Sequence, residues 1–204
     1  DTIDISNRNR IRTAWSNIGK PKVDIVKHEL ESINPFCKVI YSRDTDKDTT
    51  HNMFKQAPKL DIIVDAIDNI ADKYYLRKLA RKHKIPLISA ADVGDNVIID
   101  IERYDQDPLP QPFLGKIPNI EQIDFDQLTE LDKKKMIIKL IGFRSNSEDM
   151  LTSLQQLGKQ LGTWPQLGST ATIAGGVVTT IIKKIIAQED VQSGRYYLDL
   201  DAPL

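Results

Sequence analysis

Apolar and polar positions along the chain indicate one buried strand with helical segments on either side. The stretch Asp61–Asn69, DIIVDAIDN, begins with an aliphatic run and ends in a carboxylate and an amide. An aliphatic run bounded by turn residues predicts a central strand of a parallel sheet, buried on both faces. We expect the rest of the chain to be organised around this strand.

Helical spacing of apolar residues occurs on both sides of the strand. Upstream, a predicted helix has Pro21 at its first position and ends at Asn34-Pro35, with apolar positions at Val23, Val26, Leu30 and Ile33. Downstream, residues 71–84 predict a second helix. Its inward face comprises Tyr74, Tyr75, Leu76, Leu79 and Ala80, and its outward face comprises Arg77, Lys78, Arg81 and Lys82.

Further short apolar runs predict the other strands of the sheet. These are Lys38–Tyr41, followed by a polar loop over residues 43–52, then Ile85–Ala90 and Val97–Ile101. A strand, a helix and a strand at this spacing predict a βαβ unit and therefore a parallel sheet.

The second half of the chain has a different character. A proline-rich connector at residues 107–112 leads into helical stretches at 133–141 and 147–161, a long small-residue helix at 169–187 and a closing strand at 195–200. Adjacent Gly175 and Gly176 weaken a helix by about 1 kcal/mol each, so we expect them to serve close packing or, alternatively, a ligand. We therefore predict one domain over 1–204, with a nucleotide-binding core (1–105), a connector and helical insertion (106–163) and a closing helix and strand (164–204).

Composition narrows the function classes. Lys and Arg number 28 against 29 Asp and Glu, and aromatic residues make up 6%, so there is no strong nucleic-acid signal. No apolar run approaches the ~20 residues of a membrane span, and we expect no membrane contact. Cys37 is the only cysteine, which excludes an internal disulfide and a Cys-rich zinc site. It is expected to pack as a small hydrophobe in a cytoplasmic protein.

Candidate chemistry lies at the end of the organising strand. Ligands bind beyond the carboxyl ends of strands in open α/β sheets, and Asp68 and Asn69 occupy that position. The alternative is that they only cap the following helix, because Asp and Asn oxygens accept hydrogen bonds from free helix amides. Asp65 points the other way in a regular strand and is expected to be structural.

Two upstream segments carry cationic and amide groups suited to phosphate. Residues 7–12 contain Asn7, Arg8, Asn9, Arg10 and Arg12, and guanidinium groups bind phosphate in bidentate fashion. Lys22 stands at a helix start, where an anion is favoured. A solvated loop and a solvated lysine are the alternatives for these two segments.

Four segments in one order resemble a known family. They are Ser6–Arg10, Gly19–Val23, Asn34-Pro35 and Asp65–Asn69, and Ile85–Ile88 follows at a suitable distance. Together they resemble the adenylate-forming domain shared by the ThiF, MoeB and HesA proteins and the ubiquitin-activating enzymes. Residues 100–105, 163–167 and 194–200 resemble a bacterial ThiF subgroup, some of whose members are joined to a nitroreductase-like flavin domain.

The resemblance implies an α/β fold: a Rossmann-like, mostly parallel sheet with a helical C-terminal extension, which binds ATP and Mg²⁺. A carboxylate, often that of a ubiquitin-like carrier, attacks the α-phosphate in this family. Asn7, Arg10 and Lys22 fall on the phosphate-binding positions, Asp68 falls on the metal-binding position, and Asn69 follows it in the same motif. Cations around the developing charge and a carboxylate for Mg²⁺ suit adenylyl transfer. Family members typically form homodimers.

Departures from the family pattern qualify this hypothesis. The N-terminal βα phosphate loop, rich in glycine, is expected before Asp1, so we expect this chain alone to be inactive. Ile11 stands where many members have glutamine, and no cysteine follows Cys37, so we expect no downstream sulfur transfer. The substrate carboxylate can belong to a small protein or a small molecule. A non-catalytic nucleotide-binding or scaffolding module is the alternative, and an NAD-type dehydrogenase would explain the sheet but not Arg10, Lys22 and Asp68.

Overall fold

A computed structural model of the protein describes residues 1–43, 46–142, 152–153, 156, 160 and 166–200. The chain divides into two compact units, Asp1–Lys55 and Gln56–Leu204, and each is described by itself. Most of the helix predicted over 147–161 lies outside the described residues. The proposed division of the chain at residues 105 and 163 stays a prediction.

The first unit contains two α-helices and two 3₁₀ segments, the second of which is Trp15–Asn17. A 3₁₀ helix, Ile5–Asn9, precedes α1, Lys22–Ile33, and α2, Lys47–Lys55, follows. Asn34 ends α1, which confirms the predicted end, whereas the helix begins at Lys22 and Pro21 occupies the cap position before it rather than the first helical position. Ile3 is buried, and its N–H donates to the carbonyl of Lys20 at 2.9 Å.

Three expectations for this unit are wrong. Lys38–Tyr41 forms no strand, because a strand needs a neighbouring ladder and no described residue pairs with it. The predicted polar loop instead ends in α2, since the Asp46 carboxylate accepts the N–H of Thr49 at 2.6 Å and so caps the helix start. Cys37 is exposed and is not packed as a small hydrophobe.

The second unit is built on a four-stranded sheet in the order β1, Ile63–Asp65; β2, Leu87–Val93; β3, Asn96–Glu102; and β4, Gly194–Asp199. Helix α3, Ile70–His83, connects the parallel strands β1 and β2, which confirms the βαβ unit and the α/β class. The β2–β3 and β3–β4 pairs are antiparallel. Within the described sheet the expected parallel arrangement therefore applies to β1 and β2. Strands β2 and β3 are antiparallel because the short turn at Gly94 and Asp95 joins them as a hairpin.

Strand β1 is not buried on both faces as expected. Ile63 and Asp65 are buried, whereas Val64 between them is 48% exposed. The strand lies at the edge of the described sheet, and α5, Gly168–Ile186, packs on β2 and β3. The face that carries Val64 is therefore only partly covered.

Apolar clusters form the core of the second unit. On one face of the sheet α5 contributes Ala174 and Val178 to a cluster with Ile88, Val97, Ile99, Ile101 and Val191. A second cluster contains Ile70, Phe113, Ile117 and Ile120, with residues of α4, Glu130–Ile141, packed against it. Both predicted helices, 133–141 and 169–187, are thus confirmed.

Gly175 and Gly176 do not serve close packing among the described residues. Both are exposed, and a Cβ atom added at either position would meet nothing within 4 Å. Both lie on the outer face of α5, so the close-packing expectation is wrong, and the alternative of a ligand stays a prediction.

Helix α5 is long and apolar enough to cross a membrane by length and composition, with 19 residues and a mean hydropathy of 1.2. This is weak evidence, because core helices meet the same criteria. Its inner face packs on the sheet through Ala174 and Val178.

Arg77 is the main error in the predicted orientation of α3. It was expected to face solvent, but it is only 1% exposed. Its Nη1 lies 2.6 Å from Oδ2 of Asp65, and its Nε lies 2.7 Å from Oε2 of Glu102. The two carboxylates draw the guanidinium into the core because a buried charge needs compensation.

We expect Arg77→Ala to lower the free energy of unfolding by about 3–5 kcal/mol, because it leaves two buried carboxylates without their shared cation. Arg81→Ala, one turn further along α3 at an exposed position, is the matched control and should change it by less than about 0.5 kcal/mol. Denaturant unfolding measures both values. Equal losses in the two variants would contradict the prediction.

Candidate functional site

The carboxyl end of β1 opens onto a cavity of ≈ 300 Å³. This volume is at the low end of the range for small-molecule sites. Strands, α3 and α4 all contribute to its wall. The lining residues are Ala66, Ile67, Asp68, Lys73, Arg77, Ser89, Ala90, Ala91, Asp92, Ile98, Asp100, Ile137, Leu140, Ile141, Gln166 and Arg195.

Asp68 lies three residues beyond β1, in the irregular segment before α3, and its side chain is exposed. It lines the cavity. Within the described part of the chain its carboxylate has no hydrogen-bond or ion-pair partner. An anionic group at this edge that nothing neutralises is suited to bind a cation.

Asn69 has a local structural role. Its Oδ1 accepts hydrogen bonds from the N–H groups of Ala71 and Asp72, at 2.8 and 3.3 Å, and so caps α3. The helix-cap alternative therefore holds for Asn69 and not for Asp68. Its role in nucleotide binding stays a prediction.

Asp65 is buried and forms the centre of a charge cluster. Lys73 Nζ lies 3.2 and 3.1 Å from its two oxygens, and Arg77 Nη1 donates to Oδ2 at 2.6 Å. Oδ1 also accepts the N–H of Ile67 at 3.0 Å. The expectation that Asp65 is structural agrees with these contacts.

Glu102 completes the cluster on the side of β3. Its Oε1 accepts from Tyr104 Oη and from the N–H of Phe113, both at 2.7 Å. The Glu102–Arg77 contact is an ion pair rather than an aligned hydrogen bond. The Arg77 guanidinium also lies 4.0 Å from the centre of the Phe113 ring.

Burial and neighbouring charges both shift the pKa values of groups in this cluster. Burial disfavours the charged guanidinium, but Glu102 and Asp65 hold the pKa of Arg77 above its usual value. Burial is the main cause that raises the pKa of the Tyr104 hydroxyl, and the negative charge of Glu102 raises it further. Arg77 therefore stays charged and Tyr104 stays a hydrogen-bond donor.

A second ion pair lines the cavity away from β1. Arg195 on β4 donates from Nε and Nη2 to the two oxygens of Asp100, at 2.6 and 2.7 Å. Burial disfavours its charge, but the Asp100 hydrogen bond holds the pKa of Arg195 above its usual value. Among the described lining residues this leaves the carboxylates of Asp68 and Asp92 without an ion-pair partner, and Oδ1 of Asp92 accepts a hydrogen bond from Gln166 Nε2 at 3.0 Å.

The candidate phosphate-binding residues belong to the first unit. Asn7 is buried, and its Oδ1 accepts the N–H of Asp4 at 3.0 Å. Arg10 Nη1 donates to the Ser6 carbonyl at 3.1 Å, and Lys22 Nζ lies 2.8 Å from an oxygen of Asp1. The Lys22 side chain is 32% exposed, so a phosphate oxygen could replace this surface partner.

Asn7, Arg10 and Lys22 thus belong to the first unit, each with its own partner, and Asp68 and Asn69 belong to the second. Their assignment to ATP or Mg²⁺ stays a prediction. Among the described residues no three His, Cys, Asp or Glu side chains lie together as a metal site. Mg²⁺ bound to substrate phosphates needs only one or two protein carboxylates, so Asp68 alone fits its chemistry.

Sequence reasoning missed Lys73, Arg77 and the Asp100–Arg195 pair as parts of this cavity. One signal was available: Asp100 and Glu102 alternate on one face of a strand that is otherwise apolar. Buried carboxylates on a strand require cationic partners, and such partners could have been sought on the neighbouring helix.

Comparison with known proteins now identifies the family. The family model described as the ThiF family matches residues 1–203. The chain belongs to the ThiF family. The resemblance inferred from the four ordered segments is therefore confirmed.

Curated relatives of this ThiF-family chain include named enzymes. It is 35% identical over 124 residues to the tRNA threonylcarbamoyladenosine dehydratase of Bacillus subtilis, covering 57% of this chain and 48% of that protein. It is 30% identical over 106 residues to the molybdopterin-synthase adenylyltransferase of Haemophilus influenzae, covering 52% and 43%. An uncharacterized Mycobacterium tuberculosis protein, MT1398, is 26% identical over all 204 residues, which are 28% of its length. The chain thus spans less than half the length of these three relatives.

Solved structures share the fold. The structure of PaaA matches with a TM-score of 0.66 at 17% identity, covering 99% of this chain and 59% of PaaA. Escherichia coli MccB with ATP matches with a TM-score of 0.56 at 16% identity, covering 98% and 54%. At these identities the likeness concerns the fold alone.

We expect Asn69→Ala to lower the free energy of unfolding by about 1 kcal/mol, because α3 loses its cap. Asn69→Asp is the matched control, since it keeps the capping oxygen and should change stability by a few tenths of a kcal/mol. Denaturant unfolding tests this prediction. A loss of MgATP binding in Asn69→Asp at unchanged stability would show a second role for the amide group.

Proposed function

We propose that this chain contributes the metal-binding part and phosphate-binding residues of an enzyme that uses ATP to adenylate a carboxylate. One observation carries the proposal: the free carboxylate of Asp68 stands at the end of β1 and lines a cavity. Ligands of open α/β sheets bind at this edge. The names of two kinds of ThiF-family relatives, molybdopterin-synthase adenylyltransferase and the adenylyltransferase and sulfurtransferase UBA4 of Lodderomyces elongisporus, support it.

Asp68 would hold Mg²⁺, and Mg²⁺ would neutralise charge on the ATP phosphates. In the first unit, Arg10 and Lys22 would supply cations to phosphate groups of ATP. The present partners of Arg10 and Lys22 are both exposed to solvent. Because an exposed ion pair such as Lys22–Asp1 contributes only about 0–1 kcal/mol, replacement of Asp1 by a phosphate costs little free energy. Asn7 would act through the 3₁₀ segment, since its Oδ1 is bound to the N–H of Asp4.

The reaction would join the substrate carboxylate to AMP. A carboxylate oxygen attacks the α-phosphorus, the bond to the bridging oxygen breaks, and pyrophosphate leaves with that electron pair. The ≈ 300 Å³ cavity suits a small molecule or the end of a peptide chain, such as that of a ubiquitin-like carrier. Both substrate classes therefore remain within the proposal.

We also propose a homodimer, a cytoplasmic location and, in the parent protein, a nitroreductase-like domain. The last is supported by the resemblance of DIERYD, TWPQL and GRYYLDL to a ThiF subgroup with such fusions. The chain alone would be inactive, because the glycine-rich phosphate loop of the family has no counterpart within it.

A non-catalytic nucleotide-binding or scaffolding module is the second candidate. Ile11, at a position where many family members have glutamine, and the lack of any cysteine after Cys37 favour it. The two candidates differ in pyrophosphate exchange and not in nucleotide binding.

We expect the full-length parent to catalyse exchange of labelled pyrophosphate into ATP in the presence of its carboxylate substrate. Asp68→Asn should reduce this exchange at least about 100-fold, because Mg²⁺ loses its protein ligand. Asp61→Asn is the matched control: it removes an exposed carboxylate at the other end of β1 and should leave exchange unchanged.

Three outcomes are informative. Loss of exchange in Asp68→Asn with activity kept in Asp61→Asn supports adenylation. MgATP binding by calorimetry without exchange, tested with cellular extracts of small carboxylates and carrier proteins, supports the non-catalytic module. Undiminished exchange in Asp68→Asn would refute the assigned role of this residue.

A further inference from the structure

The orientation of the Asp68 carboxylate is not fixed by contacts of its own side chain. It lies between β1 and α3, outside regular structure, and its carboxylate has no partner among the described residues. A metal ligand binds well only when its orientation is fixed by surrounding groups. The question is which contacts hold this short segment in place.

The segment is fixed at both ends. At its start, Asp65 Oδ1 accepts the N–H of Ile67 at 3.0 Å, which closes a turn over residues 65–67 directly before Asp68. At its end, Asn69 caps α3 and Ile70 is 1% exposed within an apolar cluster. The backbone that carries Asp68 is therefore held between Asp65 and the start of α3.

Asp65 is itself held by two cations of α3. Lys73 and Arg77 lie one helical turn apart, and both contact its carboxylate, at 3.1 and 2.6 Å to Oδ2. The Asp65 side chain has no exposed surface. Arg77 is in turn paired with Glu102 on β3 at 2.7 Å. A chain of contacts thus runs from β3 through Arg77 and Asp65 to the N–H of Ile67.

The charge cluster of Asp65, Lys73, Arg77 and Glu102 is not an efficient way to stabilise the fold. Its two carboxylates and two cations balance, but the desolvation of buried charges offsets much of their attraction. Apolar side chains of similar volume often give equal or greater stability. A cluster of charges at the ligand-binding edge of the sheet, in hydrogen-bond contact with the segment that carries Asp68, points to a positioning role.

We propose that Asp65 is a positioning residue, which, held by Arg77 and Lys73, fixes the turn over residues 65–67 and so directs the Asp68 carboxylate into the cavity. The proposal rests on the function proposed for Asp68. Glu102 serves the stability of the cluster and is two contacts further from the turn.

Asp65→Asn separates these roles chemically. Asp65 uses both oxygens as acceptors, Oδ1 for Ile67 and Oδ2 for Arg77. Asparagine offers one oxygen, and the charged guanidinium competes for it better than a backbone amide. The N–H of Ile67 consequently loses its acceptor, while Arg77 keeps one.

The experiment compares Asp65→Asn with Glu102→Gln in the full-length parent. Each variant replaces one buried carboxylate beside Arg77 by the amide of the same shape. In the metal-free protein, amide hydrogen exchange at Ile67 should become about tenfold faster in Asp65→Asn and stay within about twofold in Glu102→Gln. In pyrophosphate exchange, the Mg²⁺ concentration for half-maximal rate should rise about 10–100-fold in Asp65→Asn only.

A common loss of thermal stability with unchanged Ile67 exchange and unchanged Mg²⁺ requirement in both variants would overturn the proposal. If Asp65→Asn does not fold, the triple variant Asp65→Ala, Arg77→Gln, Glu102→Gln replaces it, since it removes the acceptor of the Ile67 N–H and leaves no unpaired charge in the fully buried part of the cluster. It should show the same rise in Mg²⁺ requirement, and an unchanged requirement would again overturn the proposal.

Failure of the proposed function gives a different result. A wild-type parent that neither exchanges pyrophosphate nor binds MgATP removes both proposals together. A wild-type parent that exchanges pyrophosphate, with Asp68→Asn inactive and Asp65→Asn unchanged in its Mg²⁺ requirement, removes only the positioning role.

Discussion

The second unit depends on the compensation of one buried guanidinium. Arg77 is in contact with carboxylates from two strands, Asp65 at the end of β1 and Glu102 at the end of β3. A buried charge without partners would cost several kcal/mol, so the positions of α3, β1 and β3 are mutually constrained. The hairpin of β2 and β3 and the apolar layer under α5 complete an arrangement that this pairing requires.

The sequence pattern predicted those helices and strands whose buried face is set by the periodicity of their own apolar residues. The end of α1, the βαβ unit and strand β3 could be predicted because apolar spacing and end signals agree there. The side chain of Arg77 could not be placed, since α3 carries cations on several faces and only its partners on other elements decide which one is buried. Lys38–Tyr41 and the exposure of Val64 show the same limit, because pairing and covering layers are tertiary properties.

The candidate site was also predicted only in part from the sequence. The sequence located Asp68 and Asn69 at a strand end, where capping and ligand binding use the same residue types. Hydrogen bonds distinguish the two: the oxygen of Asn69 is used by α3, and that of Asp68 is free within the described residues. Membership of the ThiF family adds the chemical context, because a free carboxylate alone would fit many cations.

The spacing of Asp65, Asp68 and Asn69 follows from three separate physical demands. The first carboxylate must point inward to meet Arg77 and must still reach the N–H of Ile67, so it has to precede the turn. The second must lie beyond the turn to reach the cavity, and the amide must come last because α3 begins at the next residue. If Asp65 and Asp68 exchanged roles, the carboxylate that needs solvent would lie in the core. The carboxylate that needs an ion pair would lie in the cavity. Both a stable cluster and a free ligand are therefore possible only when the inward carboxylate comes first along the chain.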